Sequence, residues 1–398
     1  MGKWEMVRLP DIATMMTDGD WIESKDQSAN GIRLLQVGNI GKGYYVDKAE
    51  RAKYISEETF SKLKCTEIFE GDILISRLPD PIGRACILPE QDARLITAVD
   101  CTIVRINEQR CDKRYLLHFL CSPRYFWQIE KHIVGSTRSR ISRKNLQTIE
   151  IPLPPLATQQ KIADILDRAN ALIEKRKTQI EKLDLLVKSQ FVEMFGDPVT
   201  NPMGWEVGTI RDLVTDVKYG TSKPAEENGK YIYLRMNNIT YGGSIDLTNL
   251  KHINVDDKEH EKYSVRKGDL LFNRTNSKEL VGKTAVFKED TPMIIAGYII
   301  RVRTNEMADP EYISAHLNSR YGKMVLFDMC KAIVGQANIN AQELQDIVIF
   351  LPPVALQNEF AAFVERVEAQ KAQLKKSLGL LELNYKSLIQ KCFNGEMF

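Results

Sequence analysis

The sequence predicts an α+β protein in which two homologous mixed α/β domains are joined by two long helices that pair as an antiparallel coiled coil. Three observations predict this fold class. The two halves of the chain repeat the same landmarks in the same order, two segments carry the apolar spacing of a coiled-coil helix, and a diproline precedes each of those segments. A chain of 398 residues has ample length for such cores.

The repeat has a period of about half the chain length. Trp4-Glu5 recurs as Trp205-Glu206, and Gly71-Asp72 with two aliphatic residues after it recurs as Gly268-Asp269. An arginine follows each of the two Gly-Asp segments at the same distance. Because a solenoid unit has only about 20 to 50 residues, two homologous domains explain this period better.

Within each domain, short apolar runs alternate with longer amphipathic segments. The runs DILIS, DCTIVRI, DLLFN and GYIIRVR are rich in aliphatic residues and bounded by turn residues, which predicts strands. Residues 113–133 and 310–330 carry apolar residues at helical spacing and are predicted to be helical.

Two segments predict long helices, at residues 158–195 and 356–393. The first would be roughly 50 Å long, which is longer than a compact domain needs. Its seam consists of Ile162, Leu166, Ala169, Ile173, Ile180, Leu183, Val187, Phe191 and Met194. The second seam consists of Phe360, Phe363, Val367, Leu374, Leu378, Leu381, Tyr385, Leu388 and Cys392. We expect the two helices to pair with each other, the alternatives being a core helix of each domain or pairing with another chain.

The diprolines Pro154-Pro155 and Pro352-Pro353 separate each domain from its helix, because proline interrupts both ladder and helix hydrogen bonding. The predicted boundaries are therefore a first domain at 1–152, a central helical spacer at 153–196, a second domain at 197–350 and a C-terminal helical spacer at 351–398.

Composition limits the classes of function. The formal charge is only +2, so any nucleic-acid binding must depend on local basic patches. The seven cysteines form no CxxC pair, which favours reduced thiols over a disulfide framework or a zinc site. Neither a signal peptide nor a membrane-spanning segment is apparent, and we expect a cytoplasmic protein without membrane contact.

No catalytic or metal-binding motif is complete. Gly282-Lys283-Thr284 resembles the end of a phosphate-binding loop, but Ser277 occupies the place of its first glycine. The five histidines show no metal-ligand spacing. We therefore predict that the chain is not an enzyme and holds no metal or cofactor of its own.

Polar and basic loops at matched positions are the candidate DNA-binding residues. Between Lys131 and Thr148 there is no acidic residue, and this loop carries Lys131, Arg138, Ser139, Arg140, Arg143 and Lys144. The second copy has amides instead, at Gln336, Asn338 and Asn340. Arginine suits guanine and phosphate, whereas asparagine and glutamine suit adenine. Further candidates beside the Gly-Asp turns are Arg77, Arg84, Arg274 and Lys283. The alternative is that these loops are solvated and bind no ligand.

Together these residues resemble the DNA-specificity subunit of type I restriction–modification enzymes. The resemblance covers the whole chain, including the Trp-Glu starts, the Gly-Asp turns, VGSTRSRISRKNLQTIEIPLPPLATQQKIADIL at 134–166 and FGDP after the first long helix. The second copy departs at GQANINAQELQDIVIFLPPV, which lacks the arginines.

The resemblance implies a non-catalytic subunit whose two domains are target-recognition domains, each reading one part of a split DNA sequence. The paired helices would act as a spacer between the half-sites. Double-stranded DNA and two methyltransferase subunits are the implied partners, and two restriction/translocase subunits can join them. S-adenosylmethionine, ATP and Mg²⁺ would belong to those partner subunits.

Two other classes remain open at this stage. One is a coiled-coil scaffold that does not bind DNA, and the other is an enzyme with an unrecognised active site. Salt dependence distinguishes the scaffold from a DNA-binding subunit, because DNA binding weakens steeply as the salt concentration rises.

Overall fold

The computed structural model describes residues 4–133, 139–333 and 336–398, and for residues 331–333 and 336 it describes the backbone only. Contacts divide the chain into two compact units, with Met1–Arg176 and Ser377–Phe398 in unit 1 and Lys177–Lys376 in unit 2. We call residues 4–155 head 1 and residues 197–353 head 2. The predicted boundaries treat the long helices as separate segments, whereas the contacts assign about half of each long helix to each unit.

The heads are built mainly from short strands. In head 1 the described strands are β1 (Glu5–Arg8), β2 (Ala13–Asp18), β3 (Ile32–Leu35), β4 (Lys53–Ile55), β5 (Glu67–Ile68), β6 (Ile73–Ser76), β7 (Ala85–Ile87), β8 (Leu95–Thr97), β9 (Cys101–Ile106) and β10 (Glu150–Leu153). In head 2 they are β11 (Val207–Thr209), β12 (Val214–Tyr219), β13 (Tyr231–Leu234), β14 (Lys251–Ile253), β15 (Ser264–Val265), β16 (Leu270–Asn273), β17 (Thr275–Asn276), β18 (Thr284–Val286), β19 (Met293–Ile295), β20 (Ile299–Thr304), β21 (Lys331–Ile333), β22 (Gln336–Asn338) and β23 (Val348–Phe350).

Short helices accompany the strands, and two long ones follow the diprolines. The described helices are α1 (Leu9–Ile12), α2 (Glu57–Leu63), α3 (Lys113–Leu120), α4 (Pro123–Glu130), α5 (Arg143–Leu146), α6 (Leu156–Phe195), α7 (Asp257–Tyr263), α8 (Pro310–Asn318), α9 (Arg320–Met329), α10 (Ala341–Gln345) and α11 (Val354–Asn394). No helix in the described part of the chain is both long enough and apolar enough to cross a membrane.

The predicted repeat is a repeat of topology. In head 1 the described strands form sheets of order β2-β9-β6-β7 and β4-β3-β8-β5 beside the pair β1-β10. Head 2 has the same arrangement as β12-β20-β16-β18, β14-β13-β19-β15 and β11-β23, and adds the small sheet β17-β22-β21. Even the parallel pairs β3-β8 and β13-β19 correspond. Equivalent positions in the two heads can therefore be compared directly.

The first four-stranded sheet of each head is covered on both faces. In β6, Ile73 and Ile75 pack in the core formed with the helices, whereas Leu74 packs towards the second sheet. Head 2 has the same arrangement around β16. Because successive strand residues point to opposite faces, a strand buried on both sides is apolar at most successive positions. This explains why the runs ILIS and LLFN do not alternate with polar residues.

The long helices pair in antiparallel order, as predicted. In unit 1, Ile162 near the start of α6 shares a core with Phe393 near the end of α11. In unit 2, Phe191 and Phe195 near the end of α6 share a core with Phe360 near the start of α11. Each predicted seam residue is buried or half-buried. The alternative that each long helix belongs to the core of a domain also applies, since the paired helices pack in the cores of the heads.

A polar contact supports the helix pair within unit 2. Lys371 on α11 is only 5% exposed. Its ammonium lies 2.7 Å from Glu368 on the same helix and also reaches Asp184 on α6. A buried ammonium needs such partners, because an unpaired buried charge costs several kcal/mol.

A buried glutamine fixes each long helix to its head. Gln159 is fully buried, and its amide nitrogen donates to the carbonyls of Pro154 and Arg110 at 2.8 and 3.0 Å. Its amide oxygen accepts from the backbone N–H of Asp112 at 2.9 Å, just before α3. Gln357 makes the corresponding three bonds in unit 2. The diproline thus ends each head, and the glutamine one turn later links the head to the helix.

Candidate nucleic-acid interface

Arg77 in head 1 lies where three strands of the first sheet end. It follows β6, and its guanidinium lies 3.6 Å from Asp18 at the end of β2 and 4.0 Å from Asp100 just before β9. It also donates to the Val99 carbonyl, and the residue is only 7% exposed. These partners balance the charge of Arg77 within the head, although its Nε is buried without a hydrogen-bond partner. They favour a structural role, and the DNA contact of Arg77 stays a prediction.

Arg84 and Lys283 are also structural residues. The Arg84 guanidinium donates to the carbonyls of Ile40 and Val37 at 2.6 and 2.8 Å, and also to those of Leu78 and Pro81. The Lys283 ammonium donates to the Met236 carbonyl at 2.8 Å, and burial lowers the pKa of this lysine. Both residues are less than 9% exposed. Both residues hold a neighbouring loop of their own head, which favours a structural role, and their DNA binding stays a prediction.

The basic loop of head 1 returns to the same strand ends. The backbone N–H of Ile141 donates to the Arg77 carbonyl at 3.2 Å, and Ser142 caps α5 by accepting from the Asn145 N–H. Arg143 is half-buried, with its guanidinium 3.3 Å from the Thr17 hydroxyl and 3.9 Å from Asp18. The loop therefore lies beside the C-terminal ends of β2 and β6 in the first sheet.

Other predicted residues of this loop differ in exposure. Arg140 and Lys144 are exposed, and Ser139 is half-buried and makes contacts of its own. Lys131 is exposed, and its ammonium lies 3.0 Å from the centre of the Trp127 ring, which is 59% exposed. Arg138 lies outside the described residues. Cations beside an exposed aromatic ring suit nucleic acid, because the cations can bind phosphates and the ring can stack on a base.

In head 2 the amide-rich loop is a hairpin against the segment that follows β16. Strand β22 pairs with both β21 and β17, and the Ile339 N–H donates to the Arg274 carbonyl at 2.9 Å. The Thr275 hydroxyl donates to the Asn338 side-chain oxygen at 3.0 Å, and Asn338 is exposed. The structure thus places Arg274 and Asn338, two predicted residues, in one site.

Asn340, a third amide of this loop, has a different role. The side-chain oxygen of Asn340 accepts from the backbone N–H groups of Gln342 and Glu343 at 2.8 and 2.9 Å, so Asn340 caps α10. The cap already uses the side-chain acceptor of Asn340, which favours a structural role, and its base contact stays a prediction. The side chain of Gln336 lies outside the description.

Two tyrosines that the sequence analysis missed flank Arg274. The guanidinium lies 4.8 Å from the centre of the Tyr219 ring, and the Tyr219 hydroxyl accepts from the Ala341 N–H at 2.8 Å. The Arg274 N–H donates to the Tyr298 carbonyl at 3.0 Å, and the Tyr298 side chain is 55% exposed. Aligning the two halves would have found both tyrosines, since they occupy the positions of Asp18 and Asp100.

The described residues offer no reactive thiol or metal site. Burial raises the pKa of the thiols, to about 12 at Cys86, Cys101 and Cys111, so these cysteines stay protonated at neutral pH. No group of three or more His, Cys, Asp or Glu side chains among the described residues is arranged to hold a metal ion.

A histidine in unit 1 has partners that resemble a catalytic triad, but its role is structural. His118 on α3 has Nε2 2.7 Å from Asp167 on α6 and Nδ1 3.3 Å from the Tyr385 hydroxyl on α11. Burial lowers the pKa of His118, and the hydrogen bond that its ring nitrogen makes to the Asp167 carboxylate opposes this effect. Burial raises the pKa of Tyr385, which makes it a poor nucleophile. The three side chains connect head 1 to both long helices.

The comparisons with known proteins agree with the predicted resemblance. The family model described as the type I restriction modification DNA specificity domain matches residues 1–183 and again residues 202–382. The chain is 26% identical over 303 residues to the EcoKI specificity subunit of Escherichia coli (strain K12), covering 71% of this chain and 65% of that protein. It is 24% identical over 433 residues to the EcoBI specificity subunit of Escherichia coli, covering 99% of this chain and 86% of that protein.

A solved structure shares the fold over nearly the whole chain. It comes from a study of complex assembly and conformational transition in the type I restriction–modification system and covers 99% of this chain and 98% of its own. The TM-score is 0.61 at 17% sequence identity. The alignment with the EcoKI subunit spans just under two thirds of that protein. Because the domain model matches twice and covers most of the sequence, the chain belongs to the type I restriction–modification DNA specificity family.

Proposed function

We propose that this chain is the DNA-binding subunit of a type I restriction–modification complex and that it reads a bipartite DNA target without catalysis of its own. One observation carries the proposal. The heads repeat one topology but carry different side chains at the equivalent strand ends, with a basic loop in head 1 and an arginine with amides and tyrosines in head 2. Two copies of one scaffold with different surfaces suit two different half-sites.

Exposed cations in head 1 would supply phosphate contacts. Arg140 and Lys144 are exposed on the basic loop, and Lys131 lies over Trp127 nearby in sequence. Phosphate contacts fix the position of the protein on the duplex, whereas base contacts give specificity. In head 2, the exposed amide of Asn338 suits the edge of a base in the major groove.

The long helices would connect the recognition function to partner subunits. Apolar side chains on their outer faces are unusually open, with Leu172 53%, Leu185 59% and Leu383 63% exposed. Exposed apolar residues on a helix pair favour further helix or protein packing. We propose that two methyltransferase subunits, which would use S-adenosylmethionine, bind there. Two restriction/translocase subunits using ATP and Mg²⁺ would complete the complex in the cytoplasm, where its DNA target lies.

The same helices would set the length of the unread spacer. Both α6 and α11 continue from one unit into the other without interruption. A continuous helix has a fixed rise of about 1.5 Å per residue, so its length is determined by its residue number.

Sequencing modified bases tests the proposed function. The gene is expressed with its neighbouring methyltransferase gene in a host without adenine methylation, and the same host with the methyltransferase alone is the control. We expect a split adenine-methylated motif only when this chain is present. An intact complex that produces no motif would contradict the proposal.

The competing scaffold function predicts a different response to salt. A subunit that contacts several phosphates must lose DNA affinity with a slope of about −0.9 per phosphate in a plot of log affinity against log salt. A scaffold that does not bind DNA would show no binding at any salt concentration. Measuring DNA affinity at several salt concentrations therefore separates the two functions.

A further inference from the structure

One arginine position has opposite surroundings in the two heads. Strands β6 and β16 pair with β9 and β20 in the same way, so Arg77 and Arg274 follow equivalent strand ends. The Arg77 N–H donates to the Asp100 carbonyl, and the Arg274 N–H donates to the Tyr298 carbonyl. The two strands β2 and β12 end at Asp18 and Tyr219, each before a glycine. Both aspartates around Arg77 are thus replaced by tyrosines around Arg274.

This replacement leaves the charge of Arg274 without a counter-ion. Asp18 and Asp100 both lie within 4.0 Å of the Arg77 guanidinium. Within the described part of the chain, Arg274 pairs with no carboxylate. The Nε atoms of both arginines are buried without a hydrogen-bond partner, so the counter-ion is what differs. A guanidinium is always charged at neutral pH and carries five donors. Arg274 therefore keeps a positive charge without a counter-ion, and among the described residues its two terminal guanidinium nitrogens have no hydrogen-bond partner.

The position of Arg274 is also fixed in advance. The ring of Tyr219 lies under the guanidinium at 4.8 Å, and the Ala341 N–H fixes the tyrosine through its hydroxyl. The next residue, Thr275, is held by its hydrogen bond to Asn338. Arg274 is half-buried, so its stem is packed within the head. A planar fork held in one orientation suits the two acceptors of a base edge better than it suits a phosphate, which any flexible cation can reach.

We propose that Arg274 reads a guanine through its N7 and O6 atoms in the half-site of head 2, with Tyr219 as the ring that holds it. The inference rests on the proposed function and deepens it. Arg77, the equivalent residue of head 1, is a structural residue with no such role. The two heads thus differ in specificity because two aspartates on one scaffold are tyrosines on the other.

The test uses the full chain in complex with its methyltransferase subunit. Arg274→Gln should relax one guanine position in one half of the methylated motif and leave the other half unchanged. Arg274→Lys should do the same, because a lysine keeps the charge but not the fork. Arg266→Gln is the matched control, since Arg266 is exposed and precedes the opposite end of β16. It should leave the motif intact.

A modified base identifies the contact. In DNA with 7-deazaguanine at the expected position, which lacks the N7 acceptor and keeps O6, the wild-type complex should bind more weakly. Loss of the whole bidentate pair, about 5- to 150-fold, is the upper limit of this effect. The Arg274→Gln complex should lose nothing further from the same change. Arg77→Gln should lower the thermal stability and leave the motif unchanged.

Several outcomes would overturn the inference. If Arg274→Gln weakened binding to all sequences alike and kept the motif, Arg274 would contact a phosphate. If the motif and the affinity were both unchanged, Arg274 would not touch DNA. A wild-type complex that produces no split motif would instead refute the proposed function, so the two failures are distinguishable.

Discussion

Replacing Gln159 by alanine should destabilise unit 1 far more than its position at the surface end of a long helix indicates. The side chain is fully buried and makes three hydrogen bonds, to the carbonyls of Pro154 and Arg110 and from the N–H of Asp112. Alanine supplies none of them. An N–H and two carbonyls are then left in a site that was closed to water.

The expected loss follows from these three groups. A buried N–H left unsatisfied costs about 1–3 kcal/mol, and each lost carbonyl bond costs about 1 kcal/mol. The sum is about 3–5 kcal/mol of unfolding free energy. In a unit of this size each kcal/mol shifts the melting temperature by about 2–4 °C, so we expect a decrease of about 6–20 °C. Gln357→Ala should cost about as much in unit 2, because it removes the same three bonds.

Urea unfolding with hydrogen-exchange mass spectrometry would measure this effect and locate it. Protection should fall in α3 and in the first turns of α6 for Gln159→Ala. Gln160→Ala is the matched control, since Gln160 is the next residue on the same turn and is exposed. It should stay within about 0.5 kcal/mol of the wild type. Equal losses for the two variants, or no loss for Gln159→Ala, would show that the buried amide does not fix the helix.

Three further predictions concern pH, salt and length. Burial lowers the pKa of His316 to about 4, so between pH 6.5 and 4 only the unfolded state takes up a proton at this residue. The free energy of unfolding should therefore fall by about 3 kcal/mol over this pH range. His316→Phe should remove this contribution to the pH slope, as measured by urea titrations at several pH values. An equal slope in both proteins would contradict it, because His118, whose pKa burial also lowers, contributes the same amount to each. Arg84→Ala should lower the melting temperature and leave the salt slope of DNA binding unchanged. Lys144→Ala should reduce that slope by about 0.9 and leave the melting temperature unchanged. The reverse pattern would refute these assignments. A four-residue insertion near the middle of α6 should lengthen the unread spacer of the methylated motif, and an unchanged spacer would refute the spacer role.

The sequence by itself determined the architecture of this protein. Helical seams, diprolines and repeated Gly-Asp turns are local patterns, and local patterns fix helices, strand ends and domain order. The helices begin at Leu156 and Val354, both two residues earlier than predicted. The order of landmarks in the two halves also indicated the family, and both matches of the domain model follow that repeat.

Only the tertiary structure decided which cations face outward. Arg84 and Lys144 are both basic residues that the sequence analysis predicts to contact DNA, yet Arg84 is buried and Lys144 is exposed. The difference arises from partners distant in sequence, since the Arg84 guanidinium meets a carbonyl 47 residues away. The contrast between Arg77 and Arg274 likewise depends on residues from neighbouring strands. Burial and charge balance are properties of these long-range contacts, which a residue's own sequence neighbours do not contain.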